Sequence, residues 1–194
     1  MLQIGQRAPD FQVEALVNGQ FKKIRLTDFR GSYVVLFFYP LDFTFVCPTE
    51  IIAFSDAEPE FKKRNAQVLG VSVDSVYSHL AWTNLPRNEG GIGKIAYPLL
   101  ADITKSMAES YNVLLKDEGV ALRGLFIIDP EGNLRVQVVH DNAIGRSTDE
   151  ALRLLDALEF NREHGEVCPA NWKKGDRTMK ADPEKSRDFF RAAS

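Results

Sequence analysis

An uninterrupted apolar run, Tyr33-Val34-Val35-Leu36-Phe37-Phe38-Tyr39, closed by Pro40, constrains this chain more than any other stretch. Its length and its β-branched and aromatic content read as a buried strand. Beyond Pro40, Asp42 and Thr44 offer side-chain oxygens as helix caps, and Ile51, Ile52, Phe54 and Phe61 recur with helical spacing between Glu50 and Lys63. Cys47 is thereby placed near a helix N-terminus, where unpaired backbone N–H groups and the positive end of the helix dipole favour a thiolate over a thiol. Thr44 lies on the same side of a helical turn, so its hydroxyl can donate to the sulfur or to a substrate oxygen. Pro48 fixes the next φ and shields one side of the sulfur.

The chain has 194 residues, 44% of them hydrophobic, which is enough for one compact domain with a real core plus a tail. A net charge of −3 gives no electrostatic reason to expect nucleic acid or an acidic membrane surface. Small or neutral substrates fit better. The N-terminus lacks a basic region and a continuous apolar core, and no apolar run reaches the length of a membrane span, so the expectation is a soluble cytoplasmic protein. In that compartment two cysteines far apart in sequence suit transient redox chemistry better than a structural disulfide.

Upstream of the apolar run, Phe11 to Ala15, the turn signal Asn18-Gly19 and Phe21 to Leu26 predict a short N-terminal hairpin. Downstream, Gln67 to Val73 predicts a second buried strand, parallel to the first because a helix separates them. A helix over residues 75–85 carries His79 and Trp82, a loop follows at Asn88 to Gly93, and a short helix lies near Lys105 to Tyr111. Ala121 to Ile128 and Leu134 to His140 flank the turn Asp129-Pro130-Glu131-Gly132-Asn133 as a second hairpin. Ser147 to Glu150 supplies N-cap candidates for a helix through Arg162, and Gly165 lies just beyond its end. Residues 165–194 are polar, with isolated hydrophobes at Trp172, Phe189 and Phe190, and read as a docking arm.

The string Pro40-x-x-x-Thr44-x-x-Cys47 resembles the active-site motif of the peroxiredoxins. Glu166-Val167-Cys168-Pro169 resembles the resolving-cysteine motif of their typical two-cysteine class, the alkyl hydroperoxide reductase C or thioredoxin peroxidase family. The resemblance spans almost the whole chain. It implies an α/β, thioredoxin-like fold with a mixed central sheet flanked by helices, an N-terminal hairpin extension and a C-terminal arm. The expected domains are 1–164, the thioredoxin-like domain, and 165–194, the arm carrying Cys168.

The resemblance also implies the chemistry. Cys47 attacks a hydroperoxide and becomes a sulfenic acid, Cys168 of a partner subunit condenses with it, and a thioredoxin-like or dedicated dithiol reductant reopens the disulfide. Homodimers, often assembled into rings such as decamers, and a holdase chaperone role belong to the same expectation. An arginine within an apolar run needs a partner or a function, and Arg123 has two candidates: the Cys47 thiolate, as in the family, and an ion pair with Glu50. Arg146 resembles a second family arginine near the site, and reads equally as an exposed charge before a helix. Trp82 matches a family position close to the catalytic helix, and reads equally as packing. Gly90-Gly91-Ile92-Gly93 and Phe189-Phe190 resemble the loop and aromatic pair that cover the catalytic helix in peroxide-sensitive members.

Other chemistries find less support. The three histidines, His79, His140 and His164, are scattered, and there is no Cys-x-x-Cys, so neither a metal nor a thioredoxin-type exchange site is expected. Gly90 to Lys94 lacks the first glycine and the Ser or Thr of a phosphate loop, and no cofactor is expected. Asp74 occupies the position where a hydrolase elbow at Ser72 would need glycine.

Overall fold

The computed structural model describes residues 2–193; Met1 and Ser194, the outer ends of the two expected segments, lie outside the described residues. The chain forms two units, Met1–Arg146 and Ser147–Ser194. In the first, β1 (Gln12–Val17) and β2 (Gln20–Arg25) form the expected hairpin around Asn18-Gly19, followed by β3 (Tyr33–Phe38), α1 (Cys47–Asp56), α2 (Glu58–Lys63), β4 (Ala66–Ser72) and α3 (Val76–Thr83). Then come β5 (Leu99–Ala101), α4 (Ser106–Ser110), the small pair β6 (Leu114–Leu115) and β7 (Val120–Ala121), β8 (Arg123–Ile128) and β9 (Leu134–His140).

The main sheet runs β2-β1-β5-β4-β3-β8-β9. β3 pairs parallel with β4 and antiparallel with β8, so the sheet is mixed and the strand carrying Arg123 lies beside the strand that leads to Cys47. The N-terminal hairpin is part of this sheet, because β1 pairs with β5.

Side chains alternate across a strand, so a strand as uniformly apolar as β3 needs cover on both faces. It has it. Phe37 stacks on Phe54 of α1 at 4.7 Å, and Phe54 stacks in turn on Phe61 of α2 at 5.7 Å. Its neighbour Phe38 points the other way, meeting Tyr111 at 5.4 Å and Phe126 at 5.8 Å. Each such fully buried ring contributes about 1.5–3 kcal/mol relative to exposure. This packing fixes α1, and with it Cys47, against one face of the central strand.

Two local expectations need correction. The helix from Glu50 to Lys63 is two helices meeting at Ala57, with Pro59 in the first turn of α2, where proline's missing N–H costs nothing. Neither Asp42 nor Thr44 caps α1: its N-cap is Val46, with no side-chain hydrogen bond.

The second unit contains α5 (Thr148–His164) and α6 (Ser186–Ala193). Ser147 caps α5 by accepting from the Glu150 N–H, and Gly165 ends it at φ 68°. A left-handed residue at that position favours glycine. An isolated bridge, Val167 with Met179, organises the segment around Cys168. α6 is a helix that the polar sequence of the arm does not advertise.

Candidate active site

Cys47 is the first residue of α1 and is fully buried. From β8, the Arg123 guanidinium places Nη1 3.4 Å from Cys47 Sγ and 2.7 Å from Glu50 Oε2. Both partners read for Arg123 in the sequence are therefore present together. Its Nε donates to the Asn142 carbonyl at 2.9 Å, which fixes the plane of the fork.

Glu50 lies three residues along α1 from Cys47 and is itself buried. It accepts from Arg146 three times, from the backbone N–H and Nε at 2.7 Å and from Nη2 at 2.9 Å. Arg146 Nη1 donates to the Gly124 carbonyl at 2.7 Å, and its guanidinium lies 5.3 Å from the centre of the Phe37 ring. Of the two readings of Arg146, the exposed charge is excluded. Burial pushes the Glu50 carboxyl up, but hydrogen bonds and charge from Arg146, with the charge of Arg123, outweigh it and hold the group below the usual carboxylate range. An ionised Glu50 between two arginines orients both and leaves net positive charge beside the sulfur.

Thr44 is half-buried, and its hydroxyl donates to the Leu41 carbonyl at 2.9 Å, not to the sulfur. Pro40, also half-buried, follows Tyr39, whose N–H still bonds the Val71 carbonyl at 2.9 Å. Trp82 is fully buried but is not among the groups bonded to Cys47. Its ring lies 5.5 Å from Phe43 and 6.4 Å from Tyr39, and its indole N–H donates to the Gly90 carbonyl at 2.9 Å. It ties the loop before Cys47 to the glycine loop, whose Ile92 is fully buried.

A second buried network was not legible as such. Asp42 accepts from the Tyr39 hydroxyl at 2.9 Å and pairs with His79 Nδ1 at 2.8 Å, while its N–H donates to Asp74 at 2.9 Å. His79 Nε2 faces the Leu100 carbonyl at 3.2 Å, and since a carbonyl only accepts, that nitrogen carries a proton. The loop between β3 and α1 is thus anchored from beneath, with Phe43 held at φ 56°. Burial and the nearby Asp42 charge raise the Asp74 carboxyl, against hydrogen bonds from the Asp42 N–H and the Ser72 hydroxyl. The only sequence signals were a polar pair, Asp42 and His79, at positions that turn out to be interior.

In the second unit Cys168 is half-buried, with its thiol 3.7 Å from the Ala157 carbonyl. Burial raises its pKa and the Arg153 charge opposes that rise. Among the described residues no group of three or more His, Cys, Asp or Glu is placed to hold a metal ion, and no helix is long and apolar enough to cross a membrane.

A mixed thioredoxin-like sheet presenting one buried cysteine at a helix start, beside an arginine, defines a thiol-based redox protein. Comparison with known proteins narrows this: residues 4–137 match the AhpC/TSA family model and residues 157–190 match the C-terminal domain of 1-Cys peroxiredoxin. The chain is 61% identical to Peroxiredoxin-2 of Mus musculus over 188 residues, covering 97% of this chain and 95% of that protein. It is 53% identical to Peroxiredoxin-4 of Dictyostelium discoideum, covering 100% of this chain and 74% of the other. The reduced 2-Cys peroxiredoxin of Plasmodium vivax superposes with a TM-score of 0.95 at 48% identity, covering 97% of this chain and 98% of that one. The chain belongs to the AhpC/TSA family and is a peroxiredoxin, a thiol-dependent peroxidase.

Proposed function

We propose that Cys47 attacks hydrogen peroxide or an organic hydroperoxide, that Cys168 of a partner subunit resolves the product, and that a thioredoxin-like dithiol recycles the pair. The observation that carries the reading is Arg123 Nη1 at 3.4 Å from a buried sulfur at the start of α1. The thiolate attacks one peroxide oxygen, the O–O bond breaks, and the departing oxygen takes a proton to leave as water or alcohol, giving Cys47 sulfenic acid. Arg123 and the backbone N–H groups of the first turn donate most strongly as charge builds on the departing oxygen, which lowers the barrier. The Thr44 hydroxyl, now turned to Leu41, rotates to the substrate in the same step.

Sulfenic acid and the Cys168 thiol then form a disulfide and water. Cys47 is fully buried, so the first turn of α1 unwinds before two sulfurs reach bonding distance, about 2 Å. Residues 165–194 act as the arm that delivers Cys168. Glu50, Arg146 and Trp82 act by positioning, Glu50 and Arg146 on Arg123 and Trp82 on the loop carrying Phe43. The working form is a homodimer assembled into a ring in the cytoplasm.

A single comparison tests the cycle. Cys47→Ser abolishes peroxide reduction, whereas Cys168→Ser consumes about one equivalent per subunit and stalls in the presence of thioredoxin. Normal turnover by Cys168→Ser would refute the two-cysteine assignment.

A further inference from the structure

A cavity of about 380 Å³ opens between the tip of the N-terminal hairpin, α3 and the segment leading into β5. That is within the range of roughly 300–1,000 Å³ typical of small-molecule sites. None of its lining residues belongs to the cluster around Cys47, so it is not the peroxide site. Its floor is apolar, with Leu16, Leu80 and Leu99, while Asn18, Asn84 and Lys94 supply its polar groups. Lys94 is the single charged residue of the lining, and among the described residues no carboxylate pairs with it. An apolar floor with amides and one unpaired cation fits a ligand with a short hydrocarbon body and an anionic head.

The far wall of the cavity is bonded to the helix that carries Cys47. Tyr97, which lines it, donates its hydroxyl to the Ile51 carbonyl at 2.8 Å, and the adjoining Ala96 N–H donates to Ser55 Oγ at 3.0 Å. Both acceptors are in α1. The Tyr97 ring also packs edge-on against Phe37 at 5.7 Å. A ligand that orders residues 94–97 therefore braces α1 at Ile51 and Ser55, just beyond the first turn that must unwind.

We propose that this cavity binds small amphipathic carboxylates and that occupancy holds α1 folded, slowing the disulfide step without slowing peroxide attack. The second half rests on the proposed peroxidase cycle; the first does not. Octanoate serves as the probe, with octan-1-ol and octylamine as matched neutral and cationic controls. Titration into the reduced full chain, followed by calorimetry and amide chemical shifts, gives saturable octanoate binding with shifts centred on residues 94–99. Octylamine binds more weakly than octanoate. Lys94→Gln weakens octanoate about threefold or more and leaves octan-1-ol unchanged, as expected of one partly solvated charge pair. Thr83, the last residue of α3, also lines the cavity, and Thr83→Trp, which fills it, removes binding of both while thermal melting verifies its fold.

The absence of saturable octanoate binding, equal affinity for octylamine, or an unchanged Lys94→Gln titration would overturn the site. Stopped-flow peroxide consumption and non-reducing gels with saturating octanoate then test the coupling. The expected result is unchanged sulfenic acid formation, with disulfide formation slowed at least about threefold, a small part of a local-unfolding equilibrium. An unchanged disulfide rate at saturation overturns the coupling. A chain that consumes no peroxide even without octanoate would instead overturn the peroxidase cycle, leaving the binding result to be judged alone.

Discussion

Replacing Glu50 by Gln removes one negative charge from between two buried guanidinium groups and keeps nearly the same volume. The Arg123 and Glu50 side chains are 3% and 2% exposed, and that of Arg146 is 2% exposed, so solvent screens these pairs little. Breaking one partner of a buried ion network costs about 3–5 kcal/mol, because the remaining charges stay buried without compensation. The glutamine oxygen still accepts one or two of the arginine hydrogen bonds, which sets the expectation at about 3 kcal/mol. For a chain of this size that is a drop in melting temperature of roughly 6–12 °C.

The pH dependence follows from the same charge. Glu50 is held below its unfolded value, so its contribution is fully present above the unfolded carboxyl pKa, about 4.3, and is lost as pH falls through the folded value. The gap between wild type and Glu50→Gln should be constant from neutral pH down to the carboxylate range and then close. Circular dichroism melts across that range measure it, with stopped-flow peroxide consumption at neutral pH as the functional arm. A Glu50→Gln protein that melts with the wild type at neutral pH and attacks peroxide at the wild-type rate would refute the claim that this carboxylate orients the arginines.

Arg123→Ala slows peroxide attack at least about tenfold and slows alkylation of Cys47 at neutral pH, since it removes the cation 3.4 Å from the sulfur; unchanged rates in both assays would leave Arg123 with a purely structural role. Gly91→Ala drives a Cβ into the Leu85 carbonyl, so the loop must shift at a cost of about 1–3 kcal/mol, read as a lower melting temperature with loss of the Trp82 to Gly90 hydrogen bond. Deletion of residues 184–194 reduces sulfinic acid at Cys47 during turnover at high peroxide and Phe189→Tyr increases it, as measured by mass spectrometry; a truncated chain that over-oxidises as readily as the full one removes the arm from this mechanism.

How much of this was legible in the sequence depended on whether a residue's partner lay nearby in the chain. β3, the helix start at Cys47, the β8–β9 hairpin and the Ser147 cap are set by local pattern, and the structure has them within a residue or two. β5 is different: three residues after Pro98 make a strand only because β1 and β4 pair with them, and nothing in Leu99-Leu100-Ala101 signals that. Asp42 illustrates the same limit from the side of chemistry. Its short polar side chain in a turn before a helix suits a cap, but the partners that outcompete the helix amides are the Tyr39 hydroxyl and His79, and His79 arrives from α3. Arg123 was visible because a cation within an apolar run demands a partner, with Cys47 and Glu50 as candidates, whereas Arg146 stood out only by its resemblance to a family arginine. That one carboxylate serves both arginines follows only from the sheet: β8 brings Arg123 beside β3, and Arg146 comes back after β9 to bond both Glu50 and the Gly124 carbonyl. The site is therefore specified by residue type in the sequence and by strand order in space. A substitution that shifts β8 against β3 should impair Cys47 without touching any residue bonded to it.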